Sequence, residues 1–98
     1  MPSAYKFRLF VAGNSPHSTH AIANLRELCR RHIPDCHQIE IVDVLREPKR
    51  ALAEGILLTP VLVKLVPKPT VTLLGSLADF ELARAALGLG VQGKSAYG

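Results

Sequence analysis

The sequence has no tryptophan, three phenylalanines and two tyrosines, too few rings for the basic and aromatic alternation on which single-stranded nucleic acid stacks. Twelve Lys and Arg against eight Asp and Glu leave a net charge of +4. The basic residues are nevertheless spread along the chain, with Arg30-Arg31 and Lys49-Arg50 as compact groups, so nucleic acid is not indicated and an acidic protein surface is the better complement. Cysteine is scarce too: Cys29 and Cys36 do not make a secreted disulfide framework and suit a reducing compartment. No window reaches the roughly 18 apolar residues of a membrane span, and residues 1–8 lack the apolar run of a signal peptide. A cytoplasmic protein without membrane contact is expected, and 98 residues make one domain, 1–98.

Catalytic patterns are equally sparse. Disulfide exchange needs a Cys-x-x-Cys where a strand turns into a helix N-terminus, because the helix dipole there lowers the attacking thiol's pKa. At the first such turn the chain has Asn14-Ser15-Pro16-His17 instead, and Cys29 falls near the far end of the helix. Cys29, His32, Cys36 and His37 are soft ligands around a chain reversal at Pro34, but adjacent Cys36-His37 is poor geometry for one zinc and the spacing matches no common finger. Asp43, Glu47, Glu54, Asp79 and Glu81 are not placed as an acid and base pair. Ser15, His17, Ser18 and His20 read as capping and turn residues. The glycines at 88, 90 and 93 do not sit between a strand and a helix, so there is no phosphate loop. Neither an enzyme nor a cofactor is expected.

Secondary-structure signals, by contrast, are plentiful. Residues 5–12, YKFRLFVA, alternate Tyr5, Phe7, Leu9 and Val11 against Lys6, Arg8 and Phe10, the period of a strand with one face buried. Ser15 can cap a helix that Pro16 opens, and Ala21, Ile22, Leu25, Leu28, Cys29 and His32 or Ile33 recur on one face of it before Pro34 stops it. Residues 39–45, IEIVDVL, are β-branched and too apolar for an edge, which predicts a buried strand parallel to the first. Pro48 opens a short helix over 49–54, ended by Gly55. Val61–Val66 and Val71–Leu74 flank Pro67-Lys68-Pro69 and predict an antiparallel hairpin entered at Thr59-Pro60. Its X-Pro bonds can exchange slowly between isomers. After Gly75, Ser76-Leu77-Ala78-Asp79 turns into a last helix in which Leu77, Phe80, Ala83, Leu87 and the Ala85-Ala86 pair supply an apolar side, and residues 89–98 are expected to be a frayed tail. The order β-α-β-α-β-β-α with Thr-Pro before the third strand is the thioredoxin-like α/β arrangement. The C-terminal half is the part least constrained by hydrophobic pattern.

Three motifs in register, Val11-Ala12-Gly13-Asn14-Ser15-Pro16, Asp43-Val44-Leu45 with Pro48, and Ile56-Leu57-Leu58-Thr59-Pro60 with Leu62, Lys64, Pro67, Pro69 and Gly75-Ser76-Leu77, resemble the KaiB family of circadian clock proteins. The resemblance implies a non-enzymatic regulator that binds a KaiC-type ATPase ring, with KaiA or a clock-output histidine kinase as further partners. It also implies two folds: a thioredoxin-like monomer, and an oligomeric ground state, dimer or tetramer, in which the C-terminal half is rewired. By position in the motifs, Asp43, Arg46, Glu47 and Arg50 would reach outward to the partner. Thr59, Pro60, Lys64, Pro67, Pro69, Gly75, Ala86 and Gly88 would serve the fold switch and the oligomer, with Lys64 and the hairpin at its contacts. Thr70-Val71-Thr72 replace the basic residues usual in the family, Gly55 a polar one, Ala86 and Gly88 the common Gly and Asp, and the acidic tail is absent. These departures imply a diverged paralogue serving another KaiC-like ATPase or a stress output. The competing readings are a thioredoxin-like redox protein and the detached sensor domain of a histidine kinase.

Overall fold

The computed structural model describes residues 4–89. Its elements are β1 (Tyr5–Val11), α1 (Pro16–His32), β2 (His37–Asp43), α2 (Pro48–Ala53), β3 (Val61–Val66), β4 (Val71–Leu74) and α3 (Phe80–Leu87). The four strands form one sheet in the order β2-β1-β3-β4. β2 runs parallel to β1, and β3 and β4 are antiparallel to their neighbours. The C-terminal half thus adopts the thioredoxin-like α-β-β-α arrangement. The peptide bonds before Pro60, Pro67 and Pro69 are cis.

α1 starts where the chain supplies a cap and a pre-set φ: Ser15 Oγ accepts the Ser18 N–H at 3.4 Å and Pro16 takes the first turn,. Arg30, Arg31 and His32 meet the negative end of its dipole,. Between these ends Ser18, Ala21, Leu25, Leu28 and Cys29 form one buried stripe. That stripe packs on Phe7, Leu9 and Val11 of β1 and Leu62 of β3, with Leu77, Ala83, Leu87 and Leu89 closing the cluster. Each large aliphatic or aromatic side chain buried there contributes about 1.5–3 kcal/mol.

Several expectations need correction. β2 is an edge strand, not an interior one, and Val42 is its one fully buried residue. The third strand enters on the far side of β1, which makes β1 central and leaves β2 with a single neighbour. The strand also stops at Asp43, and Leu45, read as its last residue, is 70% exposed. Phe10, assigned to the polar face of β1, is fully buried with Val42 and Val61, because Val44 and Ile56 cover that face locally. Ala85, assigned to the apolar side of α3, is exposed.

Residue 89, placed in the expected tail, belongs instead to the core. α3 is capped by Asp79, whose carboxylate accepts the Leu82 N–H at 3.0 Å. It ends at Gly88, in the left-handed region at φ +74°, with Gly88 N–H bonded to Ala85 O and Leu89 N–H to Arg84 O. This paired closure is a Schellman motif, in which the residue after the glycine turns back onto the helix. Leu89 is accordingly buried. The rest of the expected tail, 90–98, lies outside the described residues.

Candidate functional site

The turn between β1 and α1 is where a thiol pair would act on this scaffold, and here hydroxyls occupy it. Ser18 Oγ accepts the Ala12 N–H at 3.0 Å and the Ser15 hydroxyl at 2.8 Å. Both serines therefore close the turn. The Cys29 thiol is buried against the core and pushed up to about 12 by burial alone, which suits packing rather than attack. His37 Nδ1 donates to the Ile33 carbonyl at 2.7 Å. Among the described residues no group of three or more His, Cys, Asp or Glu is assembled as a metal site.

The four residues assigned to a partner lie together around the β2–α2 connection but do different things. Asp43 does not reach outward. Its Oδ1 accepts the Gly13 N–H at 3.1 Å and the Leu45 N–H at 3.0 Å, joining the ends of β1 and β2. Gly13 sits at φ +55°, and a Cβ there would meet Leu45 Cδ1 at 3.3 Å, so this junction needs glycine,. Arg50 is likewise turned onto the sheet, pairing with Glu40 at 2.7 Å and more loosely with Glu47 and Glu54 at 3.6 Å. Arg8 completes the network from β1, bonding Glu40 at 2.8 Å and Glu54 at 3.0 Å. The Arg8 guanidinium, then that of Arg50, holds the Glu40 carboxyl below its usual range. α2 is thereby latched to the sheet through charge, with Ala51 as its buried residue.

What remains on the outer side of this corner is Arg46, 86% exposed at its side chain and 3.8 Å from the Asp43 carboxylate, with Leu45, Lys49 and Leu52 exposed around it and Glu47 at the helix start. The surface is small, cationic and partly apolar. Its charge complements an acidic protein surface.

The residues assigned to the switch and oligomer are dispersed over the C-terminal half. Pro60 is buried at the entrance of β3 next to Thr59, and its carbonyl accepts the Gly75 N–H at 2.9 Å. Pro67 and Pro69 sit at the far end of the hairpin, while Ala86 and Gly88 belong to the end of α3. Lys64, expected at an oligomer contact, is 5% exposed. The ladder pairs it with Phe7 and Val71, which places it on the helix side of the sheet. The joint between β4 and α3 is held by Asn24 Nδ2, which donates to the Ser76 carbonyl at 2.8 Å, and by Leu77, buried at φ +64°.

The sequence pattern leaves one surface unmarked. On the face opposite α1 and α3, beside α2, Ile56, Leu57, Leu58, Val63 and Leu74 line an open groove of about 370 Å³. Leu57 is 87% exposed there. The Val and Leu blocks carry the same pattern whether their second face is covered or bare. The brevity of α2 was the available signal, since six residues cannot cover four strands.

Comparison with known proteins identifies this arrangement. The KaiB domain family model matches residues 8–89. The circadian clock protein KaiB3 of Synechocystis sp. is 39% identical over 84 residues, covering 86% of this chain and 80% of the relative. The circadian clock oscillator protein KaiB of Prochlorococcus marinus (strain MIT 9313) is 38% identical over 85 residues, 87% of this chain and 70% of the relative. Among solved structures, the N-terminal domain of Synechococcus elongatus SasA superposes with a TM-score of 0.73 at 20% identity, covering 99% of this chain and 92% of that one. Mitochondrial thioredoxin 3 of Saccharomyces cerevisiae follows the same fold at a TM-score of 0.68 and 16% identity, over 89% of this chain and 80% of its own. With a matching family model over most of its length and relatives of this identity, the chain belongs to the KaiB family.

Proposed function

We propose that this protein is a non-enzymatic regulator of the circadian clock type, acting in the cytoplasm. It docks on a KaiC-like ATPase through the corner formed by the end of β2 and α2, and alters that ATPase's phosphorylation state or its output. KaiA or a clock-output histidine kinase is the next partner on this reading. The observation that carries it is family membership over residues 8–89 on a thioredoxin-like frame whose β1–α1 turn holds Ser15 and Ser18 rather than a thiol pair. Exposed Arg46, flanked by Leu45 and Leu52, supplies the contact, while Asp43 and Arg50 hold the corner in shape.

The same reading includes exchange with an oligomeric arrangement in which the C-terminal half is repacked. Support comes from the economy of that half: β4 is four residues long, and the joint to α3 keeps a leucine in the left-handed region, at a cost of about 1–2 kcal/mol. A small gap between two packings is the condition for such exchange. Retention on the immobilised cognate KaiC-like ATPase tests the contact. Arg46→Glu should reduce retention with unchanged thermal stability; full retention would remove this corner from the interface. Absence of binding by the wild-type chain would overturn the function itself.

A second reading, a free-standing sensor-type domain, is favoured by the fold match to the SasA N-terminal domain. It predicts that the chain stays monomeric and thioredoxin-like in every state.

A further inference from the structure

The two edges of the sheet carry different chemistry. β2 presents His37, Gln38, Glu40 and Asp43, with Glu40 tied to Arg8 and Arg50, and charged edges of this kind resist strand pairing. β4 is Val71-Thr72-Leu73-Leu74, without a charge or a proline. Its ladder sets Leu73 opposite Leu62 and Val71 opposite Lys64, and the Gly75 N–H bonds to Pro60 O. By the alternation of an antiparallel pair, Val71, Leu73 and Gly75 turn their backbone groups toward β3, while the N–H and C=O of Thr72 and Leu74 point away from the sheet. Among protein segments, an extended backbone matches these outward groups and a helix, whose backbone bonds are internal, does not.

The surfaces on either side of the edge say what such a strand must carry. On one face Thr72 and Leu74 stand at the sheet-edge side of the apolar groove, where Leu74 is 66% exposed beside Leu57 and Leu58. On the other, a depression of about 190 Å³ lies between Leu73, Leu77 and Leu82, and Leu82 is 65% exposed. Charge is divided along the strand. Exposed Lys68 precedes β4, whereas at the Leu74 end Glu54 lines the groove and Asp79 the depression.

We propose that the β4 edge binds an extended segment of a different protein, antiparallel to β4 and apolar on both faces, with a basic residue at its N-terminal end and an acidic residue at its C-terminal end. Running antiparallel, the segment begins beside Glu54 and Asp79 and ends beside Lys68, so both of its end charges meet their opposites. Its residues opposite Leu74 and Thr72 exchange N–H···O bonds with them and turn their side chains to the groove face; the residue between, opposite Leu73, turns to the depression. Opposed side chains on one face lie about 4.5–5.5 Å apart between Cβ atoms, and a large one set against the small Thr72 reaches over it into the groove. A second copy of this chain is the poorer occupant. In the registers centred on Leu73 or Thr72, Leu74 of one copy faces Thr72 or Thr70 of the other, and threonine leaves the groove open. The contact uses the sheet edge opposite β2 and stands whether or not the β2–α2 corner docks on an ATPase.

Fluorescence polarisation of an end-capped, labelled peptide of sequence KLLFTE titrated with the full chain tests the proposal. Saturable binding is expected, and the charge-exchanged peptide ELLFTK should bind more weakly by roughly threefold or more, because each end then meets its like charge. KLLFTE N-methylated at its phenylalanine keeps every side chain and loses the amide that bonds the Thr72 carbonyl; its dissociation constant should rise by roughly tenfold or more. On the protein, Thr72→Pro removes the outward N–H and leaves the β3 ladder intact, so it should weaken binding to a similar extent with unchanged circular dichroism, while Thr72→Val should bind as the wild type does. The methylated peptide gives its answer independently of that variant's folding. Absence of saturable binding, equal binding of the methylated peptide, or equal binding of ELLFTK would each overturn the proposal. So would a chain that pairs with its own copies through β4 and releases the peptide as its concentration rises.

Discussion

Replacing Asp43 by alanine removes one carboxylate oxygen that serves two backbone donors, Gly13 N–H at 3.1 Å and Leu45 N–H at 3.0 Å. Its side chain is 25% exposed, so water reaches part of the site and each bond is worth a value at or just below the bottom of the range for a charged acceptor, about 1–1.5 kcal/mol. The expected loss is about 2–3 kcal/mol. For a chain of this size each kcal/mol moves the midpoint by roughly 4–8 °C, so melting should fall by roughly 8–24 °C, with a matching fall in the urea midpoint at unchanged slope. Asp43→Asn keeps an oxygen in place but not its charge and should cost about 1 kcal/mol. The pair of variants separates a joint from a contact residue. If the carboxylate fastens β1 to β2, both variants lose stability and Asp43→Asn still binds the ATPase as the wild type does. A stability change below about 0.5 kcal/mol in Asp43→Ala, combined with lost binding, would refute the assignment and return Asp43 to the partner surface.

Gly88→Ala meets no atom within 4 Å at the added Cβ, so its cost is the backbone alone. Thermal unfolding should show a loss of about 1–2 kcal/mol, recovered in part by Gly88→Asn; an unchanged melting point would mean that the α3 closure is not formed. Acid should destabilise the chain through Glu40 and Glu27. Both carboxyls are held below their usual value near 4.5, Glu40 chiefly by Arg8 and Glu27, at about 2, chiefly by Arg30. A depressed folded pKa contributes stability that is complete above the unfolded pKa and lost as pH falls through the folded one. Urea midpoints should therefore be level from neutral pH down to near 4.5 and then fall toward pH 2, less steeply in Glu40→Gln; a midpoint that rises on acidification contradicts the ion-pair assignment. Alkylation of the native protein should label Cys36 and spare Cys29, which is buried with its thiol raised to about 12. Labelling of both at equal rates would show that the α1 face opens.

The parts of this fold that could be read from the chain are those set within a few residues. Ser15-Pro16 opens α1, Pro48 opens α2, and the Pro67-Lys68-Pro69 break separates two strands whose bounds come out as expected. Each depends on a backbone group and a side chain less than a turn apart. The candidate site was legible as a neighbourhood and not as a set of roles. Asp43, Arg46, Glu47 and Arg50 do share one corner, but the directions of Asp43 and Arg50 follow from Gly13, Arg8 and Glu40, which lie far from them in sequence.

Sequence alone determined the succession of elements, the missing thiol pair at the first turn and the family, because period, caps and motifs are carried by short stretches of chain. Tertiary structure decided that β2 is an edge, that Lys64 faces the helices, that Leu89 is core, and that Leu57, Leu58 and Leu74 are left bare. Those outcomes turn on which strand pairs with which and on how far six residues of α2 extend over a sheet. A residue's own two-residue or four-residue pattern is identical whether the surface it faces is covered or open.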